Sequence, residues 1–445
     1  MKAKITFIGA GSTVFAKNII GDIFLTDSLH DIVVSLYDID AERLNDSLRL
    51  VETLNESINH GRARVEGHVG VENRRAALQD ADFVINAIQI GGYEPATVRD
   101  FEIPKKYGLR QTIGDTLGIG GIFRTLRTAP VMWEIAEDIA AVCPRALLLN
   151  YTNPMCTVTG VIVRETDIQT VGLCHSVQVC AKSLLEAVEM TAENPRWRIA
   201  GINHMAWLLE FTDGGRDLYP EIKSRAKELL AEARAGRPGD HTDLVRLAVM
   251  DTFGYYVTES SEHNAEYTPW WIKSRYPELI QNFNIPLDEY PRRCVEQISK
   301  WNAMRKSLLE SSSIEHERTH EYASQIIEAV VKNEPTRIHG NILNEGHITN
   351  LPQRCVVEVP CLVDANGIQG VAVGNLPEQC AALNRTNVNV HLVSMEAAKH
   401  SDRQMVYQAA ALDPHTAAEL SLEDIVKMCD ELFEAHRDVL PAAYY

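Results

Sequence analysis

Residues 4–15 read KITFIGAGSTVF, an apolar strand, a glycine turn and the opening of a helix in unbroken succession. A pyrophosphate fits at such a junction, because unpaired N–H groups and the positive end of the helix dipole face it. Gly9 permits the tight turn, Gly11 the close approach of backbone to ligand, and Ser12 and Thr13 begin the helix beside it. Val14 stands where the usual fingerprint has a third glycine. Asp38 closes the following apolar run, DIVVSLYD, where a carboxylate accepts the ribose hydroxyls of adenosine and repels a 2′-phosphate. Strand, turn, helix and acid in this order predict a site for NAD rather than NADP. A packing turn with Asp38 as a helix cap would use the same letters.

Outward from this stretch the alternation continues. Leu44, Leu48, Val51, Leu54 and Ile58 recur at helical spacing, with Asp40 placed to cap that helix and Gly61 to end it. ADFVINAIQI (81–90), RALLLNY (145–151) and QTVGLC (169–174) are nearly continuous apolar runs of the kind buried in a parallel sheet, and helices are expected over 122–142 and 154–166. The pattern predicts an α/β fold, a Rossmann-type doubly wound parallel sheet. Asn86 and Gln89, at the end of the fourth strand, fall along the path of the ribose and nicotinamide, although solvent-facing polar residues at a strand end read the same way. After Pro195 the grammar changes: RWRIAGIN and MAWLLEFTD flank a bend at Asn203 and His204, long helices follow, and RCVVEVPCLVD and GVAVGN read as strands of a mixed α+β unit. The division expected is a NAD-binding domain over 1–195 and a substrate-binding, catalytic domain over 196–445 packed on it.

Forty-three basic against 61 acidic residues leave a net charge of -18, which disfavours nucleic acid and anionic membrane surfaces and favours a small-molecule partner. The N-terminus runs straight into a strand without the apolar core of a signal peptide, and no apolar run approaches the ~18 residues of a membrane span, so a cytoplasmic location is expected. Nine cysteines without framework spacing then read as reduced thiols.

NYTNP (150–154) closes a strand and starts a helix; Asn153 could serve only as its cap, but strand ends at the switch point of this sheet also face ligands. GLCHSVQ (172–178) sets Cys174 beside His175 at the end of the next strand, and GINHMAW carries His204 on the strand after that. If neighbouring strands bring Cys174 and His204 together, a thiolate and an imidazole make an incomplete divalent-metal site with positions open to substrate oxygens. No CxxC or HxxxH pair completes a closed structural zinc site. TESSEHNAEYTPWW (258–271) gathers Glu259, Glu262, His263, Glu266 and Tyr267 beside two tryptophans, as sugar sites do and as a solvated helix end with an aromatic core face also does. Asp115 in GDTLG stands on a loop expected to cover the site, as a substrate-binding residue or as a turn residue between glycines.

In order, GAGSTVF, QIGGYEP, DTLGIGGIFRTLRT, NYTNPM, GLCHSVQ, GINHMAW, SSEHNAEYTPW and LVDANGIQ resemble the melibiase-type α-galactosidases of glycoside hydrolase family 4, from end to end of the chain. The resemblance implies a scaffold like lactate and malate dehydrogenases, NAD and Mn²⁺ as cofactors, and a homodimer or homotetramer. It also implies oxidation of the sugar at C3, metal-assisted loss of the C2 proton, elimination of the leaving group, addition of water and return of the hydride, a departure from the paired-carboxylate scheme of most glycosidases. On that pattern Cys174 and His204 are metal ligands, Asn153 binds substrate and Tyr267 removes the C2 proton. His175 stands where the phospho-sugar branch has an aspartate proposed as leaving-group acid, which points to an unphosphorylated sugar. α-Glucosides and α-galacturonides remain alternative substrates, and a hydroxy-acid dehydrogenase or a non-catalytic NAD-binding regulator are the readings of another class.

Overall fold

Five of the apolar runs, with a sixth strand (RVEGHV) that the sequence did not single out, become parallel strands in the computed structural model, which describes residues 2–311 and 313–445. They are β1 (Lys4–Ile8), β2 (Val33–Asp38), β3 (Arg64–Val69), β4 (Phe83–Asn86), β5 (Leu147–Asn150) and β6 (Thr170–Gly172), arranged 3-2-1-4-5-6. That order is the dinucleotide-binding one, reversing direction between β1 and β4 and leaving a crevice at their C-terminal ends. β4 and β5 are buried along their whole length because helices cover both faces of the sheet, which is why their sequences lack alternation. The helix Ala41–Asn59 is capped by Asp40, whose carboxylate accepts from the N–H groups of Glu42 and Arg43, and it ends at His60 and Gly61, both with positive φ.

The sheet continues past Pro195. β7 (Pro195–Ile202) and β8 (Met205–Asp213) form a hairpin, with β9 (Arg216–Asp217) and β10 (Tyr256–Val257) pairing on β8. β11 (Thr336–Leu343) and β12 (Val356–Asp364) then insert antiparallel between β6 and β7, and β13 (Gly367–Gly370) pairs with β12. β6 and β7 are therefore not neighbours, as their adjacency in the chain had suggested; two strands from the far end of the sequence separate them. Gly172, Asn341, Glu358 and Gly201 consequently form one row across four strands.

GVAVGN (370–375) is not a strand beyond its first residue. The turn at Ala365 and Asn366 starts the pairing at Gly367, and at Val371 the ladder meets Pro360, whose carbonyl accepts but which has no N–H to return. All nine cysteines are free, and eight are buried as small apolar side chains. Among the described residues no helix is long and apolar enough to cross a membrane.

Candidate active site

Cys174, His204 and Glu259 arrive from three separate segments and set one ligand atom each within 4.8 Å of one another. Cys174 follows β6, where its N–H donates to the Tyr322 hydroxyl at 3.2 Å; that hydroxyl also lies 3.0 Å from the Cys174 carbonyl and 2.9 Å from that of His339. The thiol faces Ser176 Oγ at 3.2 Å. His204 is the second residue of the two-residue turn joining β7 and β8, and Glu259 precedes the short helix Ser261–Glu266. Both adopt left-handed backbone, φ +61° and +70°, a conformation that costs on the order of 1 kcal/mol or more for a non-glycine residue and persists where the surroundings fix it. Cys174 and His204 thus meet, though through loops beyond the strand ends rather than across adjacent strands.

Charge in this cluster is arranged for a cation. His204 Nε2 lies 3.3 Å from Glu259 Oε2, and Cys174 Sγ lies 3.9 Å from the same oxygen. Burial holds the His204 imidazole neutral, lowering its pKa to about 4 despite Glu259. Burial alone would raise Glu259, but the imidazoles of His204, His263 and His175 draw it down to about 2. The Cys174 thiol is pushed well above its ordinary range by burial and by Glu259 and Glu358. A thiol, a neutral imidazole and an ionised carboxylate suit a borderline divalent ion, whose charge would favour the thiolate, and three protein donors leave coordination positions open. Glu259 was not separable by sequence from the other acids of its segment.

Tyr267 is fully buried, with its phenol 2.9 Å from His204 Nδ1. Burial and the nearby carboxyls of Glu266, Asp115 and Glu259 raise it well above its ordinary value. Beside it, Asp115 Oδ1 accepts from the Thr116 hydroxyl at 2.7 Å, and Oδ2 accepts from Asn153 Nδ2 at 3.2 Å. Arg124, buried and 3.5 Å from the same Oδ2, supplies a charge partner that the sequence did not single out; it also donates to the Tyr290 hydroxyl at 3.3 Å. Asp115 and Asn153 therefore form one polar cluster. His175 sits at the exposed rim of the cluster: it precedes the helix Ser176–Ala187, its side chain is 58% exposed, and Nδ1 lies 3.8 Å from Glu321.

At the crevice between β1 and β4, Gly9 has φ +84°, and a Cβ there would lie 2.7 Å from the Ala87 carbonyl. Asp38 Oδ2 accepts the Gly11 N–H at 2.6 Å, and Oδ1 accepts that of Asp40 at 2.9 Å. Ser12 precedes the helix Thr13–Phe24 without a side-chain hydrogen bond to its first turn. The Thr13 hydroxyl turns inward to Gly11 O (3.3 Å) and Ser47 Oγ (3.0 Å), so its side chain is spent on packing the turn. Asn86 is a correction: it neither lines the crevice nor faces solvent. Its side chain is fully buried and donates to Asn150 Oδ1 at 2.9 Å, with Thr152 Oγ1 at 3.1 Å, because β5 pairs with β4 at that level. Gln89 is exposed and directs Nε2 toward Thr97 Oγ1 at 3.4 Å.

Residues 4–190 match the family model described as family 4 glycosyl hydrolase, and residues 199–416 match that of the family 4 glycosyl hydrolase C-terminal domain. An α-galactosidase of Bacillus subtilis (strain 168) is 57% identical over 438 residues, 98% of this chain and 99% of the relative. The fold is shared with a putative glucosidase, lplD, of Bacillus subtilis (TM-score 0.85, 24% identity, covering 97% and 99% of the two chains). It is also shared with a 6-phospho-α-glucosidase from gut microorganisms solved in complex with NAD and Mn²⁺ (TM-score 0.77, 23% identity, 99% of each). Malate dehydrogenase from Plasmodium falciparum superposes with a TM-score of 0.51 at 13% identity, over 91% of this chain and 99% of that one.

Proposed function

The chain belongs to the family 4 glycosyl hydrolases, and on that premise we propose that it hydrolyses α-galactosides such as melibiose with NAD and Mn²⁺, or another divalent ion, as cofactors. The observation that carries the reading is the contact between Tyr267 and His204 inside the Cys174, His204, Glu259 cluster. When bound, NAD supplies a reversible hydride acceptor for C3 of the sugar, and the metal a Lewis acid for the C2 and C3 oxygens.

The protein residues divide the remaining work. Cys174, His204 and Glu259 would hold the metal. With a metal on Nε2, His204 would carry its proton on Nδ1, which would then donate to the Tyr267 oxygen 2.9 Å away. That hydrogen bond stabilises the phenolate, which a tyrosine buried among carboxyls does not otherwise reach, and lets Tyr267 take the C2 proton. Asn153 and Asp115 grip sugar hydroxyls. Gly9, Gly11, Ser12 and Thr13 line the pyrophosphate site through their backbone, Asp38 takes the adenosine ribose, and Gln89 borders the nicotinamide end. His175, exposed at its helix start, faces outward as the acid for the leaving group. Residues 1–195 form the cofactor-binding unit and 196–445 the substrate unit of a cytoplasmic homodimer or homotetramer.

Hydrolysis of a chromogenic α-galactoside with NAD, Mn²⁺ and thiol reductant tests this, with α-glucoside and α-galacturonide run alongside. The expected result is turnover that stops on removal of either cofactor and, in D₂O, deuterium at C2 of the released sugar. Retention of the C2 hydrogen in every product rejects the elimination route, and net NADH formation from a hydroxy acid would favour a dehydrogenase.

A further inference from the structure

Glu266 is buried at 3% exposure, one residue before Tyr267, and its carboxylate is enclosed by backbone. Oε2 accepts the N–H groups of Thr112 and Ile113 at 2.9 and 3.2 Å, and Oε1 accepts that of Gly114 at 2.8 Å. Three successive N–H groups converging on one anion form a nest, here completed by a turn with Gly114 at φ +57°. The turn is also held through Thr112, whose Oγ1 donates to the Glu262 carbonyl at 2.7 Å and whose carbonyl accepts from Tyr290 N–H at 3.0 Å, and through Gln111, whose carbonyl accepts from Asp288 N–H at 2.9 Å. Asp115 and Thr116 follow immediately. Asp115 reaches Asn153, and the Thr116 hydroxyl lies against the Tyr267 phenol as well as Asp115 Oδ1. Two consecutive residues therefore hold one loop, Glu266 by its backbone and Tyr267 by its side chains.

We propose that Glu266 is a positioning residue: its carboxylate, seated in the nest of Thr112, Ile113 and Gly114, fixes the loop that sets Asp115 against Asn153 and Thr116 against Tyr267. The inference rests on the reading of Asp115 and Asn153 as sugar-binding and of Tyr267 as the base. Both oxygens are used as acceptors, so no rotamer of a glutamine satisfies the nest; its NH₂ must meet at least one backbone N–H. The Gly114 turn then shifts and carries Asp115 with it. Displacement of about 1 Å in such a contact costs on the order of 100-fold in rate.

The test is a cycle of Glu266→Gln, Asp115→Asn and the double variant, assayed on the α-galactoside with saturating NAD and Mn²⁺. E266Q is expected to lower kcat/KM on the order of 100-fold, with NAD binding by fluorescence and Mn²⁺ binding by electron paramagnetic resonance within about twofold of wild type. E266Q/D115N is expected to be no worse than D115N alone within about twofold, because both act through one loop. Losses that multiply, or a fall in activity that merely follows lost cofactor binding, overturn the proposal. Hydrogen exchange of wild-type holoenzyme answers the case in which E266Q does not fold: the amides of 112–114 should be protected as strongly as the neighbouring helix, and exchange at open-loop rates overturns it. That readout needs no substrate, so an enzyme inactive on every galactoside would refute the functional reading while leaving the nest to be judged separately.

Discussion

Glu358 lies in the middle of the four-strand row beneath the Cys174 and His204 loops, with no exposed surface. Asn341 Nδ2 donates to Oε1 at 3.1 Å, while Oε2 and both polar atoms of the Asn203 side chain have no hydrogen-bond partner among the described residues. Burial, aided by the charge of Glu259, pushes its pKa up to about 8 against the opposing Asn341 hydrogen bond. The protonated acid is the form this burial favours, since among the described residues no donor serves Oε2. A folded-state pKa above the unfolded value means that the stabilising contribution is fully present below the unfolded pKa of 4.5 and is lost as pH rises through about 8. At about 1.4 kcal/mol per unit, the part lost between pH ~5.5 and ~8.5 is about 3 kcal/mol. Glu358→Gln removes the ionisation and keeps the shape. The stability difference between wild type and E358Q should therefore change by about 3 kcal/mol across that window, with the variant gaining relative to wild type as pH rises. Urea denaturation of reduced, chelator-treated protein at a series of pH values measures it. A difference constant to within about 0.5 kcal/mol would show that the carboxyl is ionised throughout and refute the argument.

Replacing Cys174 with serine should weaken Mn²⁺ binding tenfold or more, since even losing a residue that only supports a ligand costs about 10–100-fold, and leave NAD affinity within twofold; full activity of C174S at limiting Mn²⁺ would remove it from the ligand set. Tyr267→Phe should lower kcat by roughly 10²–10⁴-fold, the usual worth of a proton-transfer group, and abolish solvent deuterium at C2 while metal binding persists. Loss of activity accompanied by undiminished C2 exchange would assign proton removal elsewhere. Asp38→Ala should raise the dissociation constant of NAD by at least about tenfold, since a charge-assisted contact worth ~1.5–3 kcal/mol is lost, as read by fluorescence titration; unchanged affinity would place the ribose elsewhere.

The parallel half of the sheet was legible because buried parallel strands announce themselves as continuous apolar runs broken by glycine and acid at fixed places, and Gly9, Gly11 and Asp38 hold the geometry that such a junction requires. The extension was less so. Strands successive in the chain usually lie side by side, and nothing local to residues 170–202 records that β11 and β12, more than 130 residues later, come between. The end of β13 was hidden in the partner strand, since Pro360 stops the ladder. Asn86 shows the same dependence: its letter suits a ligand contact, and only the register with Asn150 turns it inward. Glu259 and Glu266, seven positions apart in one acidic segment, have identical chemistry as letters. Their separate placements, one with Cys174 and His204 and the other in a backbone nest, come from a left-handed residue and a distant turn.

The double duty of Asp38 bears on attempts to redesign the coenzyme preference. The oxygen that would discriminate against a phosphorylated ribose also anchors the Gly11 amide at 2.6 Å, and a Cβ at Gly11 would lie 2.7 Å from it. A basic or neutral replacement meant to admit NADP would release the glycine turn at the same stroke. Swapping selectivity in this scaffold therefore calls for a second acceptor grafted near position 11, so that tolerance for the larger coenzyme is gained without unfastening the loop that carries its phosphates.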